Sequence, residues 1–348
     1  MNFRSDNVTG AAPEILEAVT RAASGAVNSY GDDPLTQQVE RRLVELFETE
    51  LRAFPVATGT AANALALATL VPPYGAVYCH ADSHINVDEC GAPEAFTGGA
   101  KLVTFQGSGA KLRPDDLKAV LERPAKGVVH HVQPAAISIT QATEAGTVYT
   151  PDEVRNLTEI ARAHCLSVHM DGSRFANAVA FLGCSPAELS WRAGIDVLSF
   201  GATKNGAIGA EAVVFFKPEL AADFEFRRKR AGHLFSKMRF LSAQLDAYLT
   251  DGLWLRLAAH ANAMARRLAE GLAAAPGARL QDPVEANEVF ACLPDRVVEG
   301  LTREGFGFAR WDAQTVRFVT AFNTEAASVD SLVAAAHRFA AEPLRRTA

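Results

Sequence analysis

Three observations predict that this 348-residue chain is an α/β protein, with a large, mostly parallel sheet and a smaller C-terminal α+β unit. Short apolar runs of β type alternate with helical patterns as far as about residue 216. From Leu253 that alternation stops, and one long helical pattern runs to near Pro276-Gly277, followed by a small mixed unit. Hydrophobic residues make up 49% of the chain and charged residues 21%, enough apolar side chains for a large core. The length leaves room for about two domains. The division reads as an N-terminal arm over 1–12, a large unit over 13–250 and a small unit over 251–348.

The elements follow in order. Residues 1–12 are polar and read as an extended arm. Pro13 opens a helix to about Ala23, since proline suits a first helical turn. Asp33-Pro34 opens a second, with Leu35, Val39, Leu43 and Leu46 at helical spacing. A strand over 53–57 leads to Thr58-Gly-Thr-Ala-Ala-Asn63 and a helix from Ala61 to Leu70. Further strands are predicted at 76–79, 101–105, 136–140, 166–170, 196–200 and 212–216. Helices are predicted at 86–96, 114–122, 151–164 and 185–193. In the C-terminal unit, strands fall near 288–293 and 315–320, with a last helix over about 328–341. No internal repeat or low-complexity segment interrupts this pattern.

Charge and composition exclude several classes. The net charge is −6 with both signs mixed along the chain, which argues against nucleic-acid or membrane partners. The one basic run, Arg227-Arg-Lys-Arg230, reads as a solvated helix face or a phosphate contact across a subunit boundary. The five cysteines are scattered and form no CxxC pair, so they read as reduced and mostly buried. The N-terminus lacks an apolar signal core, and no run approaches ~20 apolar residues. These features point to the cytoplasm.

Lys204 and Asp171 carry the chemistry. Asp171 ends the apolar run Leu166-Ser-Val-His-Met170, at the strand end where open α/β sheets hold ligands. Its plain alternative is a capping or turn aspartate. Lys204 lies in small residues just beyond Val197-Leu-Ser-Phe200. A lysine that forms a Schiff base, with a carboxylate for the pyridinium nitrogen, is what pyridoxal phosphate requires. Gly59 and Thr60 add a helix start whose free N–H groups suit a phosphate. That segment alone is more often an ordinary βα turn. His84 sits in the loop after a strand, where an imidazole could stack on a cofactor ring; a lone loop histidine is more often a surface residue. Arg174, three residues past Asp171, offers a fork for a carboxylate or a cofactor oxygen. His130 and His131 are adjacent and point to opposite sides if extended. No second ligand stands at zinc spacing from them, so no metal is expected.

In this order these residues resemble the threonine aldolase family of pyridoxal phosphate enzymes, the aromatic amino acid β-eliminating lyase/threonine aldolase group. The resemblance rests on Phe3-Arg-Ser-Asp-Asn7, Tyr30-Gly-Asp-Asp33, Thr58–Asn63, and His84 with Glu89-Cys-Gly-Ala-Pro-Glu94. It continues through Thr140–Tyr149, His169-Met-Asp-Gly-Ser-Arg-Phe175, Gly201-Ala-Thr-Lys-Asn205, Ser236–Leu241 and Val316-Arg-Phe-Val-Thr320. It is nearest to the bacterial low-specificity L-threonine aldolases. It implies fold type I, the aspartate-aminotransferase-like architecture, and retro-aldol cleavage of L-threonine, L-allo-threonine and related β-hydroxy-α-amino acids, phenylserine included, to glycine and an aldehyde.

The resemblance also assigns roles. Lys204 would hold the cofactor covalently, Asp171 its ring nitrogen, and Gly59 and Thr60 its phosphate, with His84 stacked on the ring. Ser5, Arg174 and Arg317 would surround the substrate carboxylate. Tyr30, and a basic residue such as Lys229, would reach a neighbouring subunit's pocket in a homotetramer built of dimers. Glu144 stands where many members carry a histidine that touches the β-hydroxyl. The base is therefore open among His84, a water, His130 and His131. The rival readings are a β-eliminating lyase or another fold-type-I amino-acid enzyme, and, in a different class, a ligand-binding protein without turnover.

Overall fold

The computed structural model describes residues 1–124 and 126–341. The elements run α1 (Pro13–Ala22), α2 (Pro34–Phe47), β1 (Arg52–Val56), α3 (Gly59–Leu70), β2 (Gly75–His80), α4 (His84–Val87), α5 (Ala92–Thr97) and β3 (Lys101–Phe105). They continue as α6 (Pro114–Leu121), β4 (Gln133–Thr140), α7 (Pro151–Ala163), β5 (Ser167–Gly172), α8 (Phe175–Leu182), β6 (Val197–Gly201) and β7 (Glu211–Phe215). After these come α9 (Phe224–Arg230), α10 (Arg239–Leu249), α11 (Leu253–Ala273), β8 (Arg279–Leu280), β9 (Glu288–Cys292), α12 (Asp295–Arg303), β10 (Ala309–Arg310), β11 (Thr315–Val319) and α13 (Ala326–Ala341).

Seven strands form one sheet in the order β1-β7-β6-β5-β4-β2-β3. Strands β2 to β6 are mutually parallel, and β7 is antiparallel to both its neighbours. Residues of β2, β6 and β7 are buried throughout, as strands covered on both faces must be. The topology sends the C-terminal ends of β1, β2, β4, β5 and β6, and the N-terminal end of β7, to one side. That side is where ligands bind in open α/β sheets. A second, antiparallel sheet runs β10-β11-β9-β8.

Two helices tie sheet to site. Helix α3 is apolar on nearly every face and buried from Ala61 to Ala68, so it packs inside the molecule and not on its rim. Helix α11 spans both cores. Trp254 and Ala258 join the core of the large sheet, and Ala265, Leu268 and Leu272 that of the small one. The N-terminal arm is also anchored: Phe3 is 2% exposed in the smaller core, and its backbone bonds Gly307 and Val319.

The helix expected over 86–96 is two short ones. Cys90 and Gly91 take positive φ, 52° and 74°, and break it. Residues 185–193 form turns and a 3₁₀ turn at Trp191–Ala193, not an α-helix. There Ser185 and Glu188 satisfy each other locally, and the segment stops at Gly194 (φ 100°). Helices α8, α10 and α12 were not anticipated, while α9 falls on the basic run read as a helix face. The basic run is not one solvated face either: Arg228 of α9 turns inward, 5% exposed, over the Phe54 ring. Cys90 and Cys165 are exposed, against the expectation of burial. The part of the C-terminal unit over 342–348 lies outside the described residues. Among the described residues no helix is long and apolar enough to cross a membrane.

Candidate active site

The strand ends converge on a cavity of about 370 Å³, a size suited to a small cofactor with its substrate. Gly59, Thr60, His84, Asp171 and Lys204, five positions singled out in the sequence, all line it. Asn7, Asn63, Ser173, Thr203 and Glu211 line it as well.

Each side chain arrives by a local rule. Thr58 caps α3, its hydroxyl accepting from Ala61 N–H at 3.2 Å. The first-turn N–H groups of Gly59 and Thr60 then face the cavity with the positive end of the helix dipole. A Cβ built on Gly59 would meet nothing within 4 Å, so the wall there is open. Asp171 ends β5, 3% exposed, and its Oδ1 accepts from Ser173 N–H at 2.9 Å. Gly201 lets the chain after β6 pass over Ser173: a Cβ there would stand 2.6 Å from Ser173 backbone. That approach brings Lys204 Nζ within 3.5 Å of Ser173 Oγ.

The electrostatics set apart two kinds of carboxylate. Burial alone would raise Asp171, but the charges of Lys204 and His84 and the Ser173 N–H outweigh it and hold Asp171 below the usual range. It is therefore an anion at neutral pH. Burial pushes Glu144 and Glu211 up to about 7. Glu144 accepts from His84 N–H and Thr140 hydroxyl, both at 2.8 Å. The hydrogen bond to Glu89 raises His84 above the usual imidazole value; burial opposes it and Asp171 adds to it.

A second cluster borders this one. The side chain of Arg174 is 11% exposed, its Nε and Nη2 donating to Asp6 of the arm at 2.9 and 3.2 Å. Its Nη1 lies 3.0 Å from Glu288 of β9. Arg317 of β11 stands 3.7 Å from Glu288 and 5.2 Å from the Trp311 ring centre, and its buried Nε has no partner among the described residues. Ser5 caps the turn that presents Asp6, accepting from Asn7 N–H at 3.1 Å. Burial would raise Asp6, yet Arg174 and Lys204 outweigh it and hold it low.

Other expected positions lie elsewhere. Tyr30 is 48% exposed, with Lys229 Nζ 4.7 Å from its ring centre, away from the cavity. His130 and His131 line a separate surface cleft with Lys101 and Arg123. Sequence reasoning missed Asn63, Glu89, Asp6 and Glu288 as members. Asn63 carried a signal, one helical turn past Gly59 on the same face. Glu288 carried none, since only the docking of the small sheet brings it in.

Residues 2–295 match the Beta-eliminating lyase family. The chain is 46% identical over 333 residues to the low specificity L-threonine aldolase of a Pseudomonas species, covering 95% of this chain and 96% of that one. It is 45% identical over 331 residues to the protein of the same name from Pseudomonas aeruginosa, with 95% of each covered. The structure of Leishmania major threonine aldolase superposes with a TM-score of 0.91 at 29% identity, covering 98% of this chain and 99% of that one. Sphingomonas wittichii serine palmitoyltransferase shares the fold alone, with a TM-score of 0.69 at 19% identity.

Proposed function

Because the chain belongs to the beta-eliminating lyase family, we propose that it is a pyridoxal phosphate enzyme of fold type I. It cleaves L-threonine, L-allo-threonine and related β-hydroxy-α-amino acids to glycine and an aldehyde. One observation carries the reading: an amine (Lys204), a buried anion (Asp171) and an open helix N-terminus (Gly59, Thr60) meet in one cavity. Those are the three attachments this cofactor needs, and the cavity fits it. When bound, the cofactor supplies an electron sink for the pair released as the Cα–Cβ bond breaks.

The protein's own groups do the rest. Lys204 offers the attaching amine. Asp171, kept ionised, holds a proton on the ring nitrogen. His84, which lines the cavity beside Asp171, would lie against the ring and would take the proton of the β-hydroxyl, directly or through a water. Arg317, whose side chain is 23% exposed, would bind the substrate carboxylate, and Ser5 and Arg174 would complete that subsite. Holding the carboxylate in this way would orient the bond to be broken for the cofactor's electron sink. We read 1–12 as the arm that closes the subsite through Asp6, 13–250 as the cofactor unit and 251–348 as the unit bringing Arg317. Tyr30 and Lys229 serve a neighbouring subunit in a cytoplasmic homotetramer; the exposed rings of Phe226 (77%) and Tyr30 (48%) support a buried contact there.

The test is a visible spectrum of the purified protein before and after L-threonine, with acetaldehyde and glycine assayed in the same tube. A yellow band that responds, with both products formed, is expected. Pyruvate and ammonia in their place would move the chain to the β-eliminating lyases. A colourless protein that stays colourless with added pyridoxal phosphate would end the reading.

A further inference from the structure

Glu89 has no part in the reading above, yet its side chain is 0% exposed in the wall beside His84. Its Oε1 lies 2.9 Å from His84 Nδ1 and 2.8 Å from Asn63 Nδ2. The same Asn63 nitrogen reaches Asp171 Oδ2 at 2.7 Å. Chemistry settles the orientation of the Asn63 amide. Two carboxylate oxygens face it and only accept, so the nitrogen with its two hydrogens must point at them. Asn63 Oδ1 is left buried without a partner among the described residues.

Glu89 Oε1 thus receives two donors, one of them His84 Nδ1. Burial raises Glu89, and the His84 and Asn63 hydrogen bonds oppose it; with Glu89 ionised that nitrogen carries a hydrogen, and in the neutral ring Nε2 is then the lone-pair nitrogen. No described residue bonds Nε2, and the ring lines the cavity. Four charged or titratable groups face His84: Glu89 from the loop after α4, Glu144 from the loop after β4, Asp171 from β5 and Lys204 from the turn after β6. Ligand atoms of His84, Glu89 and Asp171 all lie within 4.8 Å of one another, close enough to titrate as a unit.

We infer that Glu89 and Asn63 are positioning residues: they hold His84 as its Nδ1–H form and couple its protonation to the charge of Asp171. The nitrogen that faces the substrate and the carboxylate that serves the cofactor ring then share one hydrogen-bonded chain. A proton gained at Nε2 strengthens the Nδ1–H bond to Glu89, which loosens the hold of Glu89 on the shared amide and leaves more of it to Asp171. The inference rests on the proposed function for its consequence, though not for its geometry.

The experiment uses the full-length chain loaded with pyridoxal phosphate and labelled with ¹⁵N in its histidine rings. In the unmutated protein, neutral His84 should carry its hydrogen on Nδ1. The Nε2–H form would overturn the inference with no variant needed. In Glu89→Gln, similar in shape but uncharged, the His84 midpoint should fall by about one pH unit, a tenfold change in proton affinity. The acid limb of kcat/KM for L-threonine should move down with it, because the base form persists to lower pH. An unchanged midpoint would overturn the role of Glu89. In Glu89→Gln the pH dependence of the visible cofactor band should also shift, and that shift should shrink in an Asn63→Ala background to what the direct charge interaction between Glu89 and Asp171 leaves. A shift of undiminished size there would overturn the relay through Asn63. A colourless chain without turnover would defeat the proposed function, while the ring shifts would still judge the hydrogen bonds.

Discussion

Asp6 and Arg174, 168 residues apart in the chain, meet through two hydrogen bonds that fasten the N-terminal arm beside the cavity. Asp6 is 2% exposed and also accepts from Asn287 Nδ2 at 3.1 Å. The arm is thus held by a buried, ionised contact and not by chain connectivity alone.

Asp6→Asn should lower stability by roughly 1.5–3 kcal/mol, the usual worth of hydrogen bonds to charged groups. Urea unfolding at neutral pH measures it as a lower midpoint at unchanged slope. The folded value of Asp6 is depressed. Its contribution is therefore present above the ordinary carboxylate range and is lost as pH falls through the folded value. The gap between variant and parent should close in acid.

Lys204→Ala should abolish glycine formation from L-threonine and remove the covalent attachment of pyridoxal phosphate. Borohydride treatment followed by mass measurement reads the attachment directly. Full turnover in this variant would end the assignment of Lys204.

Asp171→Ala should slow cleavage by orders of magnitude and weaken cofactor binding, because an unprotonated ring is a poor electron sink. It also leaves the shared Asn63 amide one acceptor short. Equilibrium dialysis of pyridoxal phosphate and single-turnover rates separate the two losses.

Arg317→Ala should lower kcat/KM for L-threonine by roughly ten- to hundredfold, the loss of one charge-assisted contact. Folding should hold, since Glu288 keeps Arg174 at 3.0 Å. A normal kcat/KM would remove Arg317 from the carboxylate subsite.

Glu211 is buried at the start of β7, its Oε2 accepting from Ala202 N–H at 3.0 Å, and burial pushes it up to about 7. A folded value above the unfolded one contributes stability that is complete below the unfolded value and is lost as pH rises through about 7. Glu211→Gln should therefore gain on the parent between about pH 5 and about pH 8, by roughly 1–3 kcal/mol. Thermal melts at the two pH values, in the same cofactor state, measure it. An equal gap at both would contradict the burial of an ionising carboxyl.

What could be read from the chain alone was whatever local pattern encodes. The alternation of apolar runs and helices announced a mostly parallel sheet. Asp171 and Lys204 stood out because each follows a buried run among small residues, and strand ends gather on one side of such a sheet. Gly59 and Thr60 stood out because a helix start has free N–H groups. Local pattern failed where it was weak: the 86–96 helix broke at Cys90, and the face of α9 that buries Arg228 depended on the Phe54 ring it covers.

Tertiary structure decided which of these residues meet. A strand order of β1-β7-β6-β5-β4-β2-β3 brings His84, Asp171 and Lys204 to one cavity from four crossovers apart in sequence, and it leaves His130 and His131 in another cleft. Glu89 and Asn63 gained their places beside Asp171 only through packing of α3 against the strands. Asp6 and Glu288 closed on Arg174 only when the arm and the small sheet docked. A sequence period is set by one residue's neighbours along the chain, whereas a hydrogen bond across 168 positions is set by how separate elements bury their apolar faces together.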